Sequence, residues 1–360
     1  MRPSSKLALW IRDRPSVSPW CVGLLLLFAS GMAFGQSVHL DLGLPTDNDA
    51  LFSDDPSRFY MYVDRNFEGV QSKPWSGGRF GFVRDQKRIG SNIIFSKFHE
   101  GLDIRPVKRD AAGVPLDEVR SVAAGKVVYI NETPSLSNYG RYIVVEHQWG
   151  EGPLYSLYAH LASIKSAVGQ DVGKGGVLGI MGYSGEGINR ERSHVHLELA
   201  LLLSDRFPEW HARHFTSPNH HGLYNGLNLV GMDVSGLYHS LKADPTMTVS
   251  RFVPLTSPYY KVLVPGTVPL DIVKRYPWLV AQGPAGAPLP VSWEITFTDF
   301  GLPTAIKPST QSVTLPKLSW VKKSPINHTY NTLSRVSGIG ETGALTESGQ
   351  RYLQLLTGQF

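Results

Sequence analysis

The chain contains 360 residues, of which 42% are hydrophobic and one is cysteine, and its formal net charge is +5. This length exceeds the usual size of one hydrophobic core, so we expect two domains. The weak positive charge does not indicate nucleic-acid binding, and a single cysteine excludes both a disulfide framework and a cysteine-rich metal site.

Residues 1–35 have the pattern of a secretory signal. Basic residues precede an apolar run at positions 21–28, and small residues then lead to Gln36, where we expect cleavage. The run is shorter than the about 20 residues of a membrane span, although an uncleaved anchor is the alternative. Cleavage removes Cys21 together with four basic residues and one acidic residue, which lowers the net charge to +2. We therefore expect an exported protein of the cell envelope, periplasmic or extracellular, without stable membrane insertion.

The mature chain is expected to consist of three parts. Residues 36–75 form a segment that packs on the main domain. Residues 76–245 alternate short apolar strands with glycine-rich turns. Strands are predicted over residues 122–130, 141–146, 154–161, 176–181 and 194–201, and short helices over residues 162–167 and 204–214. Several prolines mark the start of residues 250–360, which are predicted to form a β-rich accessory domain. In this domain apolar and polar residues alternate at 291–298, which predicts a strand, and a helix is predicted at 348–356.

Two pairs of polar residues have the spacing of metal ligands. His194 and His196 are two residues apart in a predicted strand, so their side chains point to the same side. Both can reach one ion, or one can bind the ion while the other reaches its bound water. His99 and Asp103 are four residues apart at a turn-to-strand junction, where Gly101 permits the bend that brings both side chains to one point.

These residue types suit a catalytic metal centre. Two histidine nitrogens and one carboxylate oxygen form a known type of catalytic zinc site, in which water takes the fourth position. Because the chain has 12 histidines, either pair alone is a weak signal, and a single strand histidine is more often a hydrogen-bonded structural residue. Both pairs together with His160, which lies between them in the chain, form a strong pattern.

The pattern resembles the lysostaphin-type zinc endopeptidases of bacterial cell walls, also called the LytM-domain family. This resemblance implies a mainly β fold: an antiparallel β-sheet groove domain (lysostaphin-like, duplicated hybrid motif type) with a smaller β-rich C-terminal domain. The similarity covers about a third of the chain, residues 76–200. It rests on the motifs Phe80-Gly-Phe-Val-Arg84, His99-Glu-Gly-Leu-Asp-Ile104, Val122-Ala-Ala-Gly-Lys-Val127, Tyr158-Ala-His-Leu161, the glycine turns of residues 168–185 and His194-Val-His-Leu-Glu198.

The resemblance also implies site residues. The zinc ligands would be His99, Asp103 and His196. His160 and His194 correspond to the two remaining histidines of the family and would flank the metal-bound water. One would act as general base, and the other would stabilise or protonate the tetrahedral intermediate, since an imidazole titrates near working pH. The sequence does not assign these two roles.

The function implied is a secreted zinc metalloendopeptidase that hydrolyses peptide cross-links of peptidoglycan, with the peptide stems as substrate and no nucleic-acid partner. The alternative is a non-catalytic envelope protein of the same fold that binds or activates another cell-wall hydrolase. Family members of that kind typically lack one or more of the five residues, which are all present here. A hydrolase of non-wall peptides is a third reading. The C-terminal domain is a candidate contact for a protein partner.

Some features depart from the family pattern or leave their role open. Residues 108–119 look like an insertion after the first ligand pair, and residues 189–192 replace the more usual small residues before His194. Glu198 shares a face with both strand histidines, and either orients a ligand imidazole or faces solvent. We expect a structural role for His147. Residues 204–222 hold four histidines that are expected to be exposed loop residues: His211, His214, His220 and His221.

Overall fold

A computed structural model of the chain describes residues 40–267, 270–281 and 289–360. The predicted signal peptide, with Cys21, lies outside these residues. The described residues belong to one compact unit. Within the described ranges, no helix combines the length and apolar character needed to cross a bilayer.

The first two thirds of the described chain consist mainly of antiparallel strands. Their bounds are β1 (Arg65–Phe67), β2 (Val70–Ser72), β3 (Gly81–Ile89), β4 (Asn92–His99), β5 (Leu102–Ile104), β6 (Glu118–Arg120), β7 (Gly125–Asn131), β8 (Tyr142–Gln148), β9 (Pro153–Ala159), β10 (Leu161–Ile164), β11 (Asp171–Val172), β12 (Val177–Met181), β13 (Val195–Leu202) and β14 (Leu229–Gly231). The main sheet has the order β11-β7-β8-β9-β13-β14, and β5 also pairs with β13. A second sheet has the order β10-β12-β6.

The main sheet is buried on both faces around β13. All eight residues of this strand are buried. Its odd-numbered residues pack into the large hydrophobic core, whereas Ala200 and Leu202 belong to a smaller apolar cluster. Because alternate residues of a strand face opposite sides, His196 and Glu198 lie on the face of the smaller cluster.

The remaining chain adds helices and a four-stranded sheet. Their bounds are α1 (Phe207–His214), α2 (Val234–Ala243), α3 (Val249–Phe252), β15 (Tyr260–Pro265), α4 (Asp271–Arg275), β16 (Ser292–Phe297), β17 (Pro303–Ser309), β18 (Lys317–Val321), β19 (Val336–Ser337), β20 (Ala344–Leu345) and α5 (Glu347–Thr357). The sheet order is β17-β16-β15-β18. Leu197 of the main sheet shares one hydrophobic core with Tyr260 and Leu355. The boundary between a peptidase domain and an accessory domain near residues 245–250 stays a prediction.

The mainly β fold class with antiparallel sheets is confirmed. The six predicted strands correspond to β7, β8, β9, β12, β13 and β16, and the ends of α1 and α5 lie within three residues of those predicted. The helix predicted over residues 162–167 is wrong, because Leu161–Ile164 forms β10 and pairs with β12. Residues 40–63 contact the main sheet, as in the bond from the Met61 amide to the Asp103 carbonyl at 2.7 Å.

Candidate metal centre

Three elements bring His99, Asp103 and His196 together. β4 ends at His99, a tight turn follows, and Asp103 lies in β5, where it is the register partner of His196 in β13. The turn passes very close to β13, since a Cβ atom on Gly101 would lie 2.3 Å from the carbonyl oxygen of Leu197. A glycine is therefore required for the close approach that joins the two ligand segments.

The three side chains form a compact set of ligand atoms. His99 Nε2, His196 Nδ1 and Asp103 Oδ1 lie 3.0 Å from one another. All three residues are buried. In a tetrahedral zinc site with bonds of roughly 2.0–2.2 Å, neighbouring ligand atoms are about 3.3–3.5 Å apart. Two nitrogens and one carboxylate oxygen at nearly that separation fit a zinc ion.

Hydrogen bonds fix both ligand imidazoles in the tautomer that a metal requires. His99 Nδ1 lies 2.7 Å from the carbonyl oxygen of Arg79, and His196 Nε2 lies 2.9 Å from Glu198 Oε1. A carbonyl or carboxylate oxygen only accepts, so these nitrogens carry the protons. The opposite nitrogen of each ring faces the cluster, where it would bind a metal ion. This outer arrangement is the usual one for metal-binding histidines.

The electrostatics of the cluster also favour a cation. Burial alone raises the pKa of Asp103, but His194, His99 and Arg84 hold it well below its usual range. Burial lowers the pKa of His196, yet the carboxylates of Asp103 and Glu198 outweigh burial and raise it to about 9. Two ionised carboxylates thus draw positive charge to this buried point, where a metal ion would supply it.

His160 and His194 lie beside the three ligand side chains. Their ring centroids are 4.8 Å apart, and His194 Nε2 lies 3.3 Å from Asp103 Oδ1. Nδ1 of His160 lies 2.9 Å from the carbonyl oxygen of Ser184, and Nδ1 of His194 lies 2.6 Å from that of Arg192. Each ring therefore donates its Nδ1 proton to a backbone carbonyl, which fixes the orientation of the ring. The structure brings all five predicted residues together.

The backbone of His160 has an unusual conformation. This residue follows β9 directly and has a φ of 63°, in the left-handed region. Ala159 lies opposite His196 on the face that carries the cluster, and a regular extended backbone would turn the next side chain to the other face. The left-handed turn instead holds the His160 ring 5.9 Å from that of His196. Non-glycine residues with positive φ often occur at functional sites.

Two supporting residues were not predicted. Arg84 forms an ion pair with Asp103 Oδ2, and Tyr139 donates a hydrogen bond to Glu198 Oε1 at 2.6 Å. Arg84 belongs to a motif that supports the family resemblance, which was a signal for its importance but not for its contact. No feature of the sequence marks Tyr139. Glu198 is buried and bound to His196, so the interpretation of a solvent-facing carboxylate is wrong.

Beside the cluster, the same face of the sheet is covered by residues 219–228, here called the covering segment. The register of the strands places a row of residues on this face: Glu198, Leu157, Val144 and Tyr129. His221 of the covering segment lies with Nδ1 2.9 Å from the hydroxyl of Tyr129. The sheet surface on this side of His196 is therefore occupied by the chain itself.

Three other histidines have structural contacts. His147 is fully buried and bonds to the carbonyl of Ala124 and the hydroxyl of Ser156. His211 and His221 are buried, which corrects the expectation of exposed loop residues, because His211 packs in α1 against Phe215 and the ring of His221 bonds to Tyr129 and Leu136. Neither belongs to the metal-binding cluster.

The sequence profile of peptidase family M23 matches residues 97–205. Residues 97–205 are an M23 peptidase domain of the LytM type. The five clustered residues all lie inside this M23 domain. No curated protein matches the chain significantly.

Several solved structures are similar to the M23 domain. A mutant of the catalytic domain of the prophage-encoded M23 protein EnpA from Enterococcus faecalis is 23% identical over 31% of this chain and 73% of that chain, with a TM-score of 0.23. The catalytic domain of lysostaphin from Staphylococcus simulans is 21% identical over 34% and 75%, with a TM-score of 0.24. A putative M23 peptidase from Pseudomonas aeruginosa is 25% identical over 39% and 49%, with a TM-score of 0.22.

Proposed function

We propose that this protein is an exported zinc endopeptidase that hydrolyses the peptide cross-links of peptidoglycan. The observation that carries the proposal is the convergence of five buried side chains, three with ligand atoms 3.0 Å apart and two imidazoles beside them. The M23 domain that contains them supports peptidase-type chemistry. Export follows from the pattern of residues 1–35.

In this proposal His99, Asp103 and His196 hold the ion. Zinc at such a site lowers the pKa of its water toward about 7 and polarises the scissile carbonyl. The chain's own contribution is to present two nitrogens and one oxygen and leave a position open, as catalytic zinc sites do. Arg84 orients the second oxygen of Asp103, and Glu198 orients the ring of His196.

The two remaining imidazoles move the protons of the reaction. Because the Nδ1 protons of His160 and His194 are held by backbone carbonyls, Nε2 is the nitrogen of each ring that exchanges a proton in this proposal. One imidazole takes the proton of the attacking water, and the other, when protonated, donates to the amine that leaves. Proton transfer by a positioned imidazole typically contributes a factor of about 10² to 10⁴ in rate.

The test is mass spectrometry of peptides released from purified peptidoglycan, with and without a chelator. Wild-type protein should release cross-link peptides only when zinc is present. His160→Asn should lower the rate by at least about 10²-fold and keep the zinc, because asparagine tolerates the left-handed φ of this position. His196→Ala should lose both zinc and activity.

The same experiment addresses the alternatives. Stoichiometric zinc without any bond cleaved would contradict the proposal and favour a non-catalytic protein that binds or activates another hydrolase. Cleavage of glycine-rich soluble peptides but not of peptidoglycan would favour a hydrolase of non-wall peptides. A folded His160→Asn variant with wild-type activity would remove this residue from the mechanism.

A further inference from the structure

A second concave site lies next to the M23 metal centre. This pocket has a volume of about 620 Å³, within the range of small-molecule and peptide sites. Its lining includes three arginines, Arg105, Arg109 and Arg190, beside the apolar or aromatic side chains of Met61 and Tyr62. We call it the arginine pocket.

The arginine pocket is built by the two stretches that depart from the family pattern. One wall comes from the insertion after the first ligand pair, and the other comes from residues 189–191, just before His194. Arg109 joins the walls: its guanidinium donates to the carbonyls of Gly113 at 2.7 Å, Arg190 at 2.9 Å and Glu191 at 3.1 Å. Hydrogen bonds between the two walls thus hold the pocket in shape.

Positive charge predominates in the lining of the pocket, which includes three arginines and one carboxylate, that of Glu191. Glu191 bonds to Lys73 at 3.0 Å and to Tyr62 at 2.8 Å. Asp110 and Asp117 accept hydrogen bonds from backbone amides and are not among the residues that line the pocket. Burial, and after it the charge of Arg105, lower the pKa of Arg109. An anion placed between these guanidinium groups would offset both the burial of Arg109 and its repulsion by Arg105.

The segments that line the pocket lie next to the metal-centre residues in the sequence. Arg190 lies four residues before His194, and Arg109 approaches the hydroxyl of Ser193 at 3.4 Å. Arg105 follows Asp103 by two residues, and the Met61 amide bonds to the Asp103 carbonyl. The sheet on the other side of the cluster is closed by the covering segment. The arginine pocket and the metal centre are therefore held together by the same chain segments.

We propose that the arginine pocket binds a carboxylate of the substrate peptide, near the bond that is cut. This inference rests on the proposed peptidase function and names the class of its substrate: peptides with a free α- or side-chain carboxylate on one side of the scissile bond. Arginine suits this task, because its planar guanidinium pairs with a carboxylate through two parallel hydrogen bonds, which are roughly twice as strong as neutral ones.

The test compares two peptides that differ only in this group, a carboxylate in one and its amide in the other. Binding of both is measured by fluorescence anisotropy with the zinc-loaded His160→Asn variant, and cleavage of both with the wild-type catalytic residues. We expect the acid to bind about tenfold more tightly than the amide, a ratio equivalent to about 1.4 kcal/mol. Arg105→Gln and Arg190→Gln should each remove most of this preference and leave amide binding unchanged.

Controls separate the possible failures. Arg190→Lys should keep part of the preference, and Arg88→Gln, an exposed arginine paired with Glu68, should keep all of it. Equal binding of acid and amide by wild-type protein, or equal losses for both peptides in the arginine variants, would overturn the carboxylate site and leave the peptidase proposal intact. A carboxylate preference in binding without any cleavage would support the pocket and contradict the peptidase proposal. If inorganic phosphate at equal concentration displaces the acid peptide, the pocket is a general anion site and the inference fails.

Discussion

Replacing Glu198 by glutamine should weaken zinc binding without unfolding the protein. Glu198 is 1% exposed, and its Oε1 accepts hydrogen bonds from His196 Nε2 at 2.9 Å and from the Tyr139 hydroxyl at 2.6 Å. Glutamine keeps the shape and an accepting oxygen but removes the negative charge. A neutral partner makes the imidazole less basic and therefore a weaker ligand.

The expected size of the effect follows from the role of the carboxylate. Loss of a residue that orients a metal-binding imidazole typically costs 10- to 100-fold in metal affinity, which is about 1.4–2.7 kcal/mol. Because Glu198→Gln keeps both hydrogen-bonding partners, we expect a loss near tenfold. Glu198→Leu removes the acceptor for both donors and should reach or exceed 100-fold.

The assay is competition for zinc between the protein and a chelator of known affinity, at constant pH. A matched control exists on the same sheet: Glu146 accepts a hydrogen bond from the Tyr155 hydroxyl at 3.0 Å but contacts no imidazole. Glu146→Gln should leave the zinc affinity unchanged. Zinc affinities of Glu198→Gln and wild type within twofold of each other would refute the argument that this carboxylate tunes the ligand.

Three further predictions concern the frame of the site. Gly101→Ala should lower zinc affinity more than tenfold, since the new Cβ would lie 2.3 Å from the Leu197 carbonyl and force the ligand turn away from β13. Chelator competition measures the zinc affinity, and an unchanged affinity would contradict this prediction. Arg84→Gln should lower the free energy of unfolding of zinc-free protein by about 2–3 kcal/mol, because it removes one cationic partner of the buried Asp103 carboxylate. Urea unfolding should show a smaller loss with zinc bound. Burial lowers the pKa of His147 to about 4, so the folded state favours the neutral ring. The stabilisation that comes from the neutral His147 ring should be fully present above pH 6.5. The free energy of unfolding should then fall by about 3 kcal/mol as the pH falls from 6.5 to 4. His147→Gln should flatten this pH dependence in unfolding measurements.

The parts of the structure that the sequence predicted depend on local patterns. The strand of His194 and His196 was visible because its residues are almost continuously apolar, as in a strand buried on both faces. The bend at Gly101 was visible because a glycine stands between two candidate ligands. Both features lie within a few neighbouring residues, so one sequence contains enough information to predict them.

The features that were missed depend on contacts between distant residues. Residues 162–167 were predicted as a helix, but so short a segment carries no decisive period, and pairing with β12 made Leu161–Ile164 a strand. Tyr139 and Glu198 are 59 residues apart in the chain. The arginine pocket likewise joins Arg109 to residues 81 and 82 positions away, and no local pattern reports such a contact.

The most direct test of the shared metal centre is the zinc content of the purified protein, measured by inductively coupled plasma mass spectrometry. The account predicts one zinc per chain in the wild type, and its loss in each of three folded variants: His99→Ala, Asp103→Ala and His196→Ala. Zinc should be retained in His160→Asn, whose side chain lies beside the ligand set rather than in it. A wild-type protein that binds no zinc, or ligand variants that keep it at full stoichiometry, would contradict the central claim.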